Sequence, residues 1–189
     1  MPIPAGARRR AVRSIGFFAG GKLKRVDIGG GPPQTLANAA GARGGTWSSE
    51  GVVLFAVGTS GVLRVPASGG EAVLVTRLAP RQTNHRFPQF LLDGRHFLYF
   101  SQGTTDTQGI YLGALGSEQT TRLTAADTAA AFLPPDYVLY VPQGSLVARR
   151  LDLSSSVLIG EQTRVADPVG WDGVIGVGVF SVSTTGVIA

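Results

Sequence analysis

The apolar residues of this chain fall in short, dense runs bounded by turn residues. Val52-Val53-Leu54-Phe55-Ala56-Val57 follows Ser48-Ser49-Glu50-Gly51. Phe97-Leu98-Tyr99-Phe100 follows Asp93-Gly94-Arg95-His96, and Tyr137-Val138-Leu139-Tyr140-Val141 follows Pro134-Pro135-Asp136. Apolar runs of this length between Gly, Pro and Asp predict strands buried on both faces. Weaker strands flank them. Gly61-Val62-Leu63-Arg64-Val65 leads through Ser68-Gly69-Gly70-Glu71 to Val73-Leu74-Val75-Thr76, and Gly109-Ile110-Tyr111-Leu112 leads through Gly116-Ser117-Glu118 to Thr121-Arg122-Leu123-Thr124. Gly144-Ser145-Leu146-Val147 leads through a longer connection to Thr163-Arg164-Val165-Ala166. No stretch sustains the apolar spacing of a helix; residues 124–132 come nearest but are few.

The unit repeats. An aromatic precedes each dense run, at Trp47, Phe90, Phe132 and Phe180, with spacings of 43, 42 and 48 residues. Strand, turn, strand, loop, strand, tight turn and strand over roughly 40–45 residues describe one blade of a propeller. The expected fold is all-β: a partial β-propeller of about four four-stranded antiparallel blades, with incomplete first and last blades. The blades are expected over 15–38, 45–78, 85–126 and 130–167, and a further blade starts over 177–189. Ending inside a strand is the pattern expected of a fragment.

These strings resemble the TolB-like, or WD40-like, β-propellers. The resemblance rests on Gly45-Thr46-Trp47-Ser48, Val65-Pro66-Ala67-Ser68-Gly69-Gly70-Glu71, His85-Arg86-Phe87-Pro88-Gln89-Phe90, Asp93-Gly94-Arg95-His96-Phe97-Leu98-Tyr99 and Phe180-Ser181-Val182-Ser183. More narrowly, they are similar to the propeller region at the C-terminal end of bacterial serine/threonine protein kinases. The Ser-Pro-Asp-Gly turn of that repeat survives here only as Ser-Ser-Glu-Gly, Leu-Leu-Asp-Gly and Leu-Pro-Pro-Asp. The resemblance implies six to eight blades in intact members, an extracytoplasmic location, and a sensor or scaffold role.

Charge changes the picture only at one end. The net charge is +5, but seven of the 17 basic residues lie before any acid. The remaining ten face 12 acidic residues, a net of −2. Residues 1–14 are therefore expected to form a basic, disordered arm, and nucleic acid is not an expected partner. No apolar stretch approaches the ~20 residues that span a bilayer, and no signal peptide is legible. The chain has no cysteine and two histidines, so no cofactor or metal is expected.

Kinase and serine-peptidase motifs are absent, as are glycine-rich phosphate loops that follow a strand. The chain is therefore expected to be no enzyme but a module that binds a protein or small ligand at its channel mouth. The alternatives are a propeller hydrolase or lyase with a channel site, and a truncated fragment that self-associates through its open blade edges. His85 and Arg86, before the inner strand of one blade, and Arg43, at the matching place in the blade before it, are candidates for that surface. Residues at these places also brace neighbouring blades by hydrogen bonds, and that is the first reading of them. Trp171, beside Asp172-Gly173 in a loop outside the repeat, is the candidate exposed aromatic. Asp93 and Asp136 occupy equivalent turns, which makes turn formation their expected role.

Overall fold

Alternation along the dense runs decides how the sheets stack. The computed structural model describes residues 14–183 and 187–189. The arm expected over 1–14 lies outside the described residues, apart from Ser14. The first sheet has three strands, β1 (Ser14–Ala19), β2 (Lys22–Asp27) and β3 (Gln34–Asn38). Three four-stranded sheets follow. They comprise β4 (Ala42–Trp47), β5 (Val52–Val57), β6 (Val62–Pro66) and β7 (Val73–Leu74); β8 (Gln82–Phe90), β9 (His96–Gly103), β10 (Gly109–Ala114) and β11 (Thr121–Thr124); and β12 (Ala131–Leu133), β13 (Tyr137–Tyr140), β14 (Leu146–Asp152) and β15 (Val157–Ala166). The last sheet pairs β16 (Trp171–Asp172) with β17 (Val177–Gly178), and a single bridge joins Val182 to Ile188. Each sheet is an antiparallel meander in sequence order, and no helix occurs among the described residues. The fold is a partial β-propeller whose first and last blades are incomplete.

Four apolar clusters lie between consecutive blades. Val53 and Phe55 of β5 face blade 1, where Leu23, Leu36 and Ala37 receive them. Leu54, between them in sequence, faces blade 3 and meets Phe97, Tyr99 and Tyr111. The pattern recurs in β9, where Phe97 and Tyr99 turn back to blade 2 and Leu98 turns forward to Phe132, Val138 and Tyr140. Tyr140 and Val138 turn back, while Leu139 and Val141 turn forward to Phe180 and Val182. Successive strand residues point to opposite faces, so a strand covered on both sides must be apolar throughout. Each recurring aromatic joins a different interface: Trp47 the first, Phe90 the second, Phe132 the third and Phe180 the fourth.

A polar brace repeats beside these aromatics. Thr46 Oγ1 accepts from the Phe90 amide of the next blade at 3.3 Å, and Gln89 Oε1 accepts from the Phe132 amide at 2.7 Å. The residue before Phe132 is Ala131, which has no acceptor to offer the following blade.

Two expectations change. The long connection after Leu146-Val147 is strand: β14 runs to Asp152, whose carboxylate accepts from Ser154 and Ser155 and closes a tight turn into a ten-residue β15. Those hydrogen bonds pull the Asp152 carboxyl down to about 2. Trp171, expected in a loop, begins a two-residue strand paired with β17.

Candidate functional site

The innermost strands β4 and β8 each break their ladder just before the recurring aromatic. The bulge in β4 falls between Ala42 and Gly45, and that in β8 between Arg86 and Gln89. An extra residue in one strand bends it and re-aims the side chains beside it. Arg43 and Arg86 stand at equivalent positions, four residues before Trp47 and Phe90 respectively. The two bulges touch: a Cβ on Gly44 (φ +88°) would lie 2.7 Å from Phe87 Cδ1 and 3.0 Å from its Cα. Only glycine permits that approach in that conformation. Phe87 itself has φ +50°, a strained state for a bulky residue, and such strain concentrates at functional sites.

His85 does not lie on the ligand surface where the sequence reading put it. It is 0% exposed, wedged between blades 2 and 3. Its ring centroid sits 4.5 Å from that of Tyr99, and its amide donates to Ser60 O of blade 2 at 2.9 Å. Thr76 Oγ1 accepts from the Val62 amide and sits 2.7 Å from His85 Nδ1. Gln82 Oε1 accepts from the Ala79 amide and lies 3.0 Å from His85 Nε2. An amide oxygen can only accept, so Nε2 carries the proton and donates to it, while Nδ1 accepts from the threonine hydroxyl. This neutral tautomer uses both nitrogens. Burial pushes the ring pKa down to about 4, because an imidazolium there would lose its hydration. Thr76, two residues beyond the end of β7, is itself buried.

Arg86, the next residue, occupies the channel. It is 9% exposed. Its Nε donates to Asn84 Oδ1 at 2.6 Å, and its Nη1 donates to the carbonyls of Val174 (3.0 Å) and Ile175 (2.7 Å) in blade 5. These carbonyls lie 88 and 89 positions further along the chain, so the side chain joins blade 3 to blade 5 past the intervening blade. Asn84 Nδ2 donates to Gln102 Oε1 at 3.0 Å, and Gln102 Nε2 donates to Val174 O at 3.4 Å. The loop that receives these bonds is a tight turn in which Asp172 Oδ1 accepts from the amides of Val174 and Ile175. Gly176 (φ +82°) closes it; a Cβ there would meet Phe100 Cε1 at 2.7 Å.

Three of the five guanidinium N–H groups of Arg86 are thus engaged with neutral acceptors. Nη2 has no partner among the described residues. Arg43, half-buried, makes one 3.3 Å bond to the carbonyl of its neighbour Ala42. Neither arginine has a carboxylate partner among the described residues. Burial, with the Arg43 charge adding to it, holds Arg86 below the usual arginine pKa. Two cations that face only neutral acceptors raise the local positive potential, which favours an anion.

Trp171 is 44% exposed. The indole edge lies against Gly144 of blade 4. Beside it Val174 and Ile175, 81% and 50% exposed, carry the carbonyls held by Arg86. Sequence reasoning missed these two residues, because nothing local to a Gly-Val-Ile-Gly string announces a partner in another blade. No group of three or more His, Asp or Glu suited to a metal ion occurs among the described residues. Asp93 Oδ1 accepts from the amides of Arg95 and His96, as a turn former does, and Asp136 pairs with Arg150.

No family model matches this chain, and no curated protein does. Solved structures do. A gluconolactonase from Xanthomonas campestris superposes with a TM-score of 0.70 at 18% identity, over 94% of this chain and 65% of that one. TolB from Acinetobacter baumannii gives 0.62 at 17% identity, over 87% of this chain and 41% of that one. The calcium-binding protein regucalcin from Agrobacterium tumefaciens gives 0.63 at 18%, over 89% and 59%. At these identities the likeness shows the fold, and the chain spans less than two thirds of each of these proteins. The comparison corrects the expectation that the chain is no enzyme. That expectation rested on missing kinase and peptidase motifs, and the same blade arrangement carries a gluconolactonase that has its own chemistry.

Proposed function

We propose that this chain is a propeller module whose channel mouth binds an anionic small molecule between Arg43 and Arg86. The observation that carries the reading is the pair of equivalent, partly dehydrated arginines with no carboxylate partner among the described residues. A partly buried cation that faces only neutral acceptors is short of counter-charge, and an anion from solution supplies it. A ligand that binds only the folded state raises its stability in proportion to the logarithm of concentration. Melting should therefore be shifted upward by acetate or phosphate at constant ionic strength in the native chain. The shift should be lost in Arg43→Gln and in Arg86→Gln. Equal shifts in all three proteins would contradict the reading.

A catalytic second reading rests on the shared fold with the Xanthomonas gluconolactonase. In it the arginines orient a sugar-acid lactone, and hydrolysis of gluconolactone by the purified chain is the direct assay. The kinase setting implied by the sequence strings makes the same channel the sensing half of a longer protein. An encoded kinase domain and membrane helix upstream in the same reading frame would support it.

A further inference from the structure

Exposed apolar residues lie next to the proposed anion site. The Val174 and Ile175 carbonyls lie 3.0 and 2.7 Å from Arg86 Nη1, which brings these two exposed residues next to the guanidinium. Trp171, at the start of the same turn, extends this rim toward Gly144. Trp171, Val174 and Ile175 are all exposed to water. Asp172, the acid in this turn, directs Oδ1 to the amides of Val174 and Ile175 and forms no ion pair with either arginine. Arg86 Nη1 holds the turn in place while Nη2 has no partner among the described residues, so a ligand can bind without displacing the turn.

We propose that the ligand is a small amphipathic carboxylate, its carboxylate shared by Arg43 and Arg86 Nη2 and its hydrocarbon body lying on Trp171, Val174 and Ile175. The proposal rests on the anion-site reading and narrows it. A planar carboxylate matches a guanidinium edge, and a few apolar side chains around one charged anchor are the usual make-up of a small-molecule site. A hydrocarbon body of seven carbons covering this rim gains affinity that acetate cannot, by burial of apolar surface.

Trp171 makes the test direct, because the chain has only two tryptophans and Trp47 can be replaced by Phe. Octanoate added to Trp47→Phe should saturate a blue shift of Trp171 emission, at least tenfold tighter than acetate. Arg43→Gln should weaken octanoate at least tenfold, and octylammonium should give no shift. Calorimetric titration of the native chain with octanoate repeats the measurement should Trp47→Phe fail to fold. Acetate and octanoate binding equally would overturn the amphipathic ligand and leave the anion site standing. Octanol binding as tightly as octanoate, with Arg43→Gln unaffected, would overturn both.

Discussion

At His85 the chain lies in the seam between blades 2 and 3, and at Arg86 it lies in the channel. The seam leaves its histidine neutral. His85 has lost its charge, and both its nitrogens have partners within the protein. The channel mouth keeps two positive charges and gives them carbonyls and an amide, but no anion from the described residues. One residue along the strand separates a fully buried, neutral histidine from an arginine that faces only neutral acceptors. A polar residue in a propeller is thus read by the face it occupies.

The largest expected contrast is in packing. Phe97→Ala empties the seam and should cost about 3–5 kcal/mol of unfolding free energy. Val174→Ala at the mouth should stay within about 0.5 kcal/mol. Chemical denaturation of the two variants measures both. A comparable loss in each would erase the distinction.

Protonation sharpens it next. Folded His85 titrates near 4 and unfolded histidine near 6.5, so the unfolded chain binds the extra proton first. The stability contributed by neutral His85 is complete above pH 6.5 and is lost as pH falls toward 4, by about 3 kcal/mol in all. The difference in unfolding free energy between the native chain and His85→Leu, followed over that window, isolates this residue. A difference independent of pH would mean the ring is charged or exposed in the folded state.

A smaller effect concerns the loop that Arg86 holds. Arg86→Gln removes the bonds to Val174 and Ile175. It should raise hydrogen exchange at the Gly176 and Ala129 amides about tenfold, because local opening of that turn is then less costly. The Phe55 and Leu98 amides, in the blade centres, should be unchanged. The least effect is expected from Arg77→Ala, whose 3.9 Å pair with Glu118 is exposed on both sides, and no measurable change in the denaturation midpoint should follow.

Much of the fold was legible because its cause is local. Val52 to Val57 and Phe97 to Phe100 are apolar without alternation, and only a strand covered on both faces demands that. The aromatic spacing marked the seams for the same reason. The site was legible only by halves. Arg43 and Arg86 stand out by their equivalent positions before Trp47 and Phe90. Which of His85 and Arg86 faces the seam depends on where the β8 bulge begins, and no residue pattern fixes that. The turn that Arg86 grips is 88 positions away and joins it only after five sheets have stacked. β15 was misread because Leu-Asp-Leu-Ser-Ser-Ser resembles a loop, whereas Asp152 folds those serines into a hairpin turn.

Arginine side-chain resonances report most directly on whether the channel mouth is an anion site. In a nitrogen-15 spectrum titrated with acetate, the Arg43 and Arg86 Nε–H signals should move together along one saturable curve, while that of exposed Arg77 stays still. Arg43 and Arg86 unmoved, or moving only in step with Arg77, would show that the two cations at the mouth do not hold an anion between them.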